Sequence, residues 1–142
     1  MIQFSEQITI NVGPEKIFSL YETVSQWKDW DSDVTLSTIS GPFAVGTTGK
    51  LKPAKGPETK ITIASVEKNK SFTVESKLPL CVITFEHELQ PLNNATHVTH
   101  RVSFNGLLTF LFGRVIGSQI RKGLPRTLLG LKRAAESGNG AS

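Results

Sequence analysis

The sequence predicts an α+β fold, in which a curved antiparallel sheet of about seven strands wraps around a long C-terminal helix and two short helices follow the first strand. Three observations predict it. Apolar and polar residues alternate with period two in the opening segment and again from Val34 to Phe104; turn residues divide that second stretch into short pieces; and after Gly106 the apolar period lengthens to about four.

The elements follow in order. Ile2, Phe4, Ile8, Ile10 and Val12 alternate with polar residues, as in a strand with one buried face, and Glu6 interrupts the apolar side. Pro14 opens a helix at a position where its missing N–H costs nothing, and Ile17, Phe18, Leu20 and Tyr21 give that helix an apolar stripe ending near Val24. Ser25 to Asp31 reads as a second short helix or turn capped by Ser25. Strands are expected near Val34 to Ile39, Thr47 to Leu51, Thr59 to Val66, Phe72 to Leu78, Cys81 to Leu89 and Thr96 to Phe104. Gly41-Pro42, Lys55-Gly56-Pro57, Lys68-Asn69-Lys70 and Asn93-Asn94 mark turns, and connections this short favour antiparallel neighbours. Finally Phe112, Ile116, Ile120, Leu124 and Leu128 form one stripe of a long helix, with Val115, Leu131 and Ala135 beside it. Pro125 is expected to bend that helix or divide it into two packed halves.

Composition bounds the function. A chain of 142 residues with 38% hydrophobic content has room for one domain, read as residues 1–136, followed by a flexible tail at 137–142. A lone cysteine, Cys81, forms no intramolecular disulfide and no thiolate metal site, and it alternates with Ile83 and Phe85 toward the interior. The N-terminus lacks the basic start and apolar core of a signal peptide, which gives a cytoplasmic location as the expectation. Leu107 to Phe112 is far shorter than the about 20 residues of a membrane span. The net charge of +4 owes much to Arg114, Arg121, Lys122, Arg126, Lys132 and Arg133, read as a solvated helix face. No aromatic residue interleaves with them, so nucleic acid is not an expected partner.

Such a sheet presents an apolar face broader than one helix of about 10–12 Å diameter can cover. The remainder is either filled by large side chains or left as a cavity for an apolar small molecule. Here the sequence resembles the START-related superfamily with the Bet v 1 helix-grip fold, and within it the polyketide cyclase/dehydrase-like members. The resemblance is carried by Val12-Gly13-Pro14-Glu15-Lys16-Ile17-Phe18, Trp27-Lys28-Asp29-Trp30, Gly41-Pro42-Phe43-Ala44-Val45-Gly46-Thr47 and Leu131-Lys132-Arg133-Ala134-Ala135-Glu136. It implies a container used for cyclisation, ligand transport, lipid binding or signalling, and it names none of these as the function.

The candidate site follows from a two-residue turn at Asn93-Asn94, which pairs Leu89 with Val98, Phe85 with Val102 and His87 with His100 on the apolar face. Glu86 then faces Arg101 on the other side, a favourable cross-strand charge pair. In the resembling fold the first strand lies beside the last, which brings Glu6 toward His100 and suggests a row Glu6, His100, His87. A carboxylate that orients an imidazole raises its basicity, and such a histidine removes a proton beside a ketone in an aldol cyclisation. Trp27 and Trp30 are expected as a lip over the pocket or as core, and Tyr21 as a core residue in preference to one offering its hydroxyl to the cavity. Phe85, Val102, Phe112, Ile116, Gln119 and Ile120 complete the expected lining. Asp29, Asp31 and Asp33 read as caps and solvated turns, and Lys52, Lys55 and Lys60 as a charged loop near the entrance. The expected function is binding of a hydrophobic or aromatic small molecule, with a polyketide cyclase or dehydratase using His87 or His100 as base as the rival. Neither cofactor nor metal is expected, and the chain is expected as a monomer or homodimer.

Overall fold

A computed structural model describes residues 2–137. Strand β1 (Ile2–Ile10) leads into α1 (Pro14–Glu22) and a 3-10 helix (Val24–Asp29). Six strands follow, β2 (Val34–Ile39), β3 (Thr48–Pro53), β4 (Thr59–Glu67), β5 (Ser71–Leu78), β6 (Cys81–Leu92) and β7 (Ala95–Asn105), and the chain closes with α2 (Thr109–Val115) and α3 (Gly117–Ser137). The seven strands form one antiparallel sheet in the order β1-β7-β6-β5-β4-β3-β2. This is the predicted α+β architecture. Ser137 ends α3, and the rest of the expected tail at 137–142 lies outside the described residues.

Register is set by the turns. Asn93 adopts φ 49°, a left-handed conformation that asparagine tolerates, and the hairpin pairs Leu92 with Ala95, Leu89 with Val98 and His87 with His100. At the opposite end Leu80 also takes a positive φ of 55°, pairing Leu78 with Cys81 and hence Phe72 with His87. Gly106, at φ 130°, passes so close to the Leu80 carbonyl that a Cβ there would press on the backbone. The long β6–β7 hairpin is thereby docked onto the β5–β6 turn, and the Leu108 N–H donates to Leu80 O at 3.0 Å.

Two apolar clusters occupy the concave side. One gathers Ile10, Ile17, Phe18, Tyr21, Trp27, Phe72, Val74, Leu128 and Leu131 beneath α1 and the C-terminal half of α3. The other gathers Cys81, Ile83, Val102, Phe104 and Leu124 beneath α2 and the start of α3. Phe85 packs against both.

Of the two outcomes expected at Pro125, a division of the helix does not occur there. The chain divides at Ile116, which retains right-handed helical angles, while α3 runs unbroken through Pro125. Pro125 and Arg121 are both exposed, so the Arg121 carbonyl that loses its donor faces solvent, and the cost is too small to end the helix. The second short helix also differs from expectation. It starts at Val24 with no side-chain cap from Ser25, and the Thr23 hydroxyl instead donates back to Ser19 O at 2.9 Å. Asp31 and Asp33 do more than cap a turn. The Thr127 hydroxyl donates to Asp31 Oδ1 at 3.0 Å and Arg126 Nη2 lies 3.0 Å from Asp33 Oδ1, clasping the end of the 3-10 helix to α3. Burial of Asp31 raises its pKa, opposed by hydrogen bonds from the Asp33 N–H and the Thr127 hydroxyl. Among the described residues no helix is long and apolar enough to cross a membrane.

Candidate ligand-binding site

The centre of the concave face is an aromatic cluster built from four elements. His87 and His100 come from adjacent strands and meet edge to face, with ring centroids 4.6 Å apart. Phe72, from β5, stacks flat on His87 at 3.9 Å with an interplanar angle of 2°. From α1, Tyr21 reaches in until its hydroxyl oxygen is 2.8 Å from His100 Nε2. Tyr21 is itself wholly buried, held by contacts with Phe18, Phe72 and Trp30.

Electrostatics keep this cluster uncharged. Burial pushes the Tyr21 hydroxyl up. Burial also lowers His87 to about 4, partly offset by its hydrogen bond to the Phe72 carbonyl. His100 is pushed well below its ordinary value by burial and then by the neighbouring His87. At neutral pH both imidazoles are therefore neutral, and the tautomer of His87 follows from chemistry. Its Nδ1 lies 3.1 Å from Phe72 O, a carbonyl that can only accept, so Nδ1 carries the proton and Nε2 is a bare acceptor. Among the described residues no protein donor engages that Nε2.

Much of the grip is filled. Phe43 packs against Phe72 at 5.1 Å and against Phe18 at 5.9 Å, closing space that the sequence leaves open. What opening remains is marked by accessibility. Phe85 points into the concave face between the buried Val102 and Val74, yet it and His87 are only half-buried. Trp30 is likewise half-buried beside Tyr21, whereas its Nε1 is buried without a partner among the described residues. Two concavities of about 580 and 440 Å³ lie elsewhere, one along Thr38 to Ser40 and Thr48 to Lys50, the other beside Glu75, Val82 and Gly106. Both are open depressions that share no residue with the histidine cluster.

A family model described as polyketide cyclase / dehydrase and lipid transport matches residues 1–136. The chain belongs to this family. A search of curated proteins found no match. Among solved structures the chain is similar to Ara h 8.0201, with 12% identity over 96% of this chain and 98% of the other at a TM-score of 0.76. It is also similar to the di-domain ARO/CYC StfQ from the steffimycin biosynthetic pathway, with 11% identity, a TM-score of 0.79, and coverage of 98% of this chain but 52% of the larger one. A third is norcoclaurine synthase from Thalictrum flavum in complex with dopamine and hydroxybenzaldehyde, with 12% identity over 96% and 87% of the two chains at a TM-score of 0.74. At these identities the likeness establishes the Bet v 1-like fold.

Within this polyketide cyclase/dehydrase family member, the sequence-derived residues fall into two groups. Tyr21, His87, His100, Trp27 and Trp30 lie together around Phe72, with Trp27 buried and its Nε1 donating to Tyr21 O at 3.0 Å. Val102, Phe112, Ile116 and Ile120 belong to the other cluster, and Phe85 bridges the two. Gln119 is exposed and stands outside both. Glu6 pairs with His100 in the strand register, yet it is exposed and the hydrogen bond onto His100 comes from Tyr21. The reason is local: a carboxylate on an edge strand reaches solvent at no cost, whereas Tyr21 is buried and needs a partner. Lys52 is tied to its own loop through the carbonyls of Pro53 and Gly56. Phe72 was not among the expected site residues. The same turn logic applied to Pro79-Leu80 places it opposite His87.

Proposed function

We propose that this family member binds a hydrophobic or aromatic small molecule carrying a hydroxyl group, in the opening between α3 and the concave face. The observation that carries the reading is the neutral, half-buried His87, which presents a fixed acceptor at Nε2 inside an aromatic surround. An apolar pocket with one oriented polar atom suits recognition of a flat ligand whose hydroxyl donates to that atom. The hydroxylated aromatics dopamine and hydroxybenzaldehyde, held by a norcoclaurine synthase of the same fold, support this class.

Cyclase or dehydratase chemistry with a histidine base is less well supported. A general base works best with a pKa near the operating pH. Burial lowers His87 to about 4, and the carboxylate that would raise a neighbouring imidazole, Glu6, lies exposed.

The test is a thermal-shift screen with hydroxylated polycyclic aromatics, their methyl ethers, fatty acids and sterols, on the wild type and on His87→Ala. A ligand that binds the folded state raises the melting temperature, and by more the further its concentration exceeds its dissociation constant. Stabilisation by the hydroxylated compounds beyond their ethers, lost in His87→Ala, is the expected result. Equal stabilisation by ethers in both proteins would keep the container and remove the histidine from recognition. A screen in which no apolar class shifts the wild type would end the reading.

A further inference from the structure

Helix α2 is apolar on two sides, and among the described residues only one of them has a partner. Leu108, Phe112 and Ile116 face inward against the cluster of Cys81, Ile83 and Phe104. Leu107, Phe110, Leu111 and Val115, at helical spacing on the outward side, are 79%, 67%, 47% and 64% exposed. Leu80, 62% exposed, extends this surface from the β5–β6 turn, which the Leu108 N–H holds at 3.0 Å. Five large apolar side chains thus project from one end of the molecule. Isolated exposed leucines are ordinary, whereas a contiguous group on one element marks an interaction surface.

The surrounding charge selects the partner. From Leu89 to Ala135 the sequence holds no aspartate or glutamate, while Arg114, Arg121 and Lys122 stand within and just after α2 and Lys77 stands before Leu80. Arg114, Lys122 and Lys77 are exposed, and the half-buried Glu75, two residues before Lys77, lies beside Gly106. An apolar stripe rimmed by basic residues fits the interface of an anionic bilayer, where the leucines and phenylalanine enter the acyl boundary and the cations meet phosphates. A second copy of the chain fits worse, because two such rims repel each other.

We propose that α2 and the Leu80 turn form a docking surface for an anionic lipid membrane, held at the interface without a spanning segment. Phe112 and Ile116, on the inward side of the same helix, would then bring the α2 end of the ligand opening to the bilayer; this consequence rests on the ligand-binding reading, and the docking does not.

Co-sedimentation with phosphatidylcholine vesicles, with and without phosphatidylglycerol, tests it. The wild type is expected to pellet with the anionic vesicles at low salt and to be released as salt rises. Leu107→Ser/Phe110→Ser and Arg114→Glu/Lys122→Glu are each expected to weaken binding about tenfold or more, with unchanged melting temperature because all four residues are exposed. Absence of pelleting with anionic vesicles, or equal pelleting with neutral ones, overturns the proposal. So does a homodimer in sedimentation velocity that Leu107→Ser/Phe110→Ser dissociates, since the patch is then a self-interface. If the serine variant fails to fold, the charge-reversed variant and the salt titration of the wild type decide the matter. Stabilisation by aromatic ligands is read separately in both variants, so loss of docking with retained ligand response leaves the pocket assignment standing.

Discussion

The Tyr21 hydroxyl oxygen lies 2.8 Å from Nε2 of His100, across 79 residues of chain, and joins the first helix to the strand that pairs with β1. Both groups are buried and neutral, so the contact satisfies two polar atoms that would otherwise be desolvated without compensation.

Removing the hydroxyl should therefore cost more than an average surface change. Tyr21→Phe is expected to lower the unfolding free energy by about 1–3 kcal/mol, because it strands a buried ring nitrogen. Urea denaturation measures this, and a double-mutant cycle with His100→Ala isolates the coupling. Additive effects of the two changes would mean that the hydrogen bond contributes nothing.

Protonation should loosen the same cluster. The folded values of His87 and His100 lie below 6.5, so below that pH the unfolded chain binds protons that the native chain refuses. Stability is complete above about pH 6.5 and falls as the pH drops toward about 4, where His87 itself titrates in the native state. Melting temperatures between those limits should decline, with up to about 1.4 kcal/mol lost per pH unit for each histidine. His87→Gln should flatten the slope. A flat profile in the wild type would place both rings in solvent.

Helix α3 touches the end of the 3-10 helix at Gly130, where an added Cβ would overlap the carbonyl oxygen of Trp30. Gly130→Ala improves helix propensity by roughly 1 kcal/mol, yet overpacking against rigid backbone costs about 1–3 kcal/mol. The variant is expected to melt at a lower temperature than the wild type, and an equal or higher one would show that the two helices can separate freely.

Cys81 is 2% exposed and packed among apolar side chains, with the Thr109 hydroxyl 4.0 Å from its sulfur. Its thiol should react with an aromatic disulfide reagent only as fast as the protein unfolds, and at once in denaturant. Immediate reaction in the native state would mean that α2 opens away from β6.

The strands were legible because alternation and turn chemistry are local. From Asn93-Asn94 alone the histidines fall opposite each other, and a one-residue slip would have turned that whole face outward. Phe72 was equally legible from the next turn and was missed only because a phenylalanine on an apolar face carries no chemical signal of its own. The partner of His100 was not legible. Glu6 sits at the right register position, but a side chain at a sheet edge chooses between a neighbour and water, and that choice depends on what else is near. Whether Pro125 divides the helix was not legible for a related reason: that outcome depends on whether the carbonyl it deprives faces solvent.

What the sequence determined by itself is the order of elements, the register of the β6–β7 hairpin and the polarity of each face, since these follow from spacing along the chain. Tertiary structure alone decided that Tyr21 meets His100, that Phe43 packs on Phe72 and Trp30 on Tyr21, and that the outer stripe of α2 stays uncovered among the described residues. Those facts depend on where helices land on a curved sheet. That placement is set by the shapes of many side chains packing at once and by the desolvation of a few polar ones.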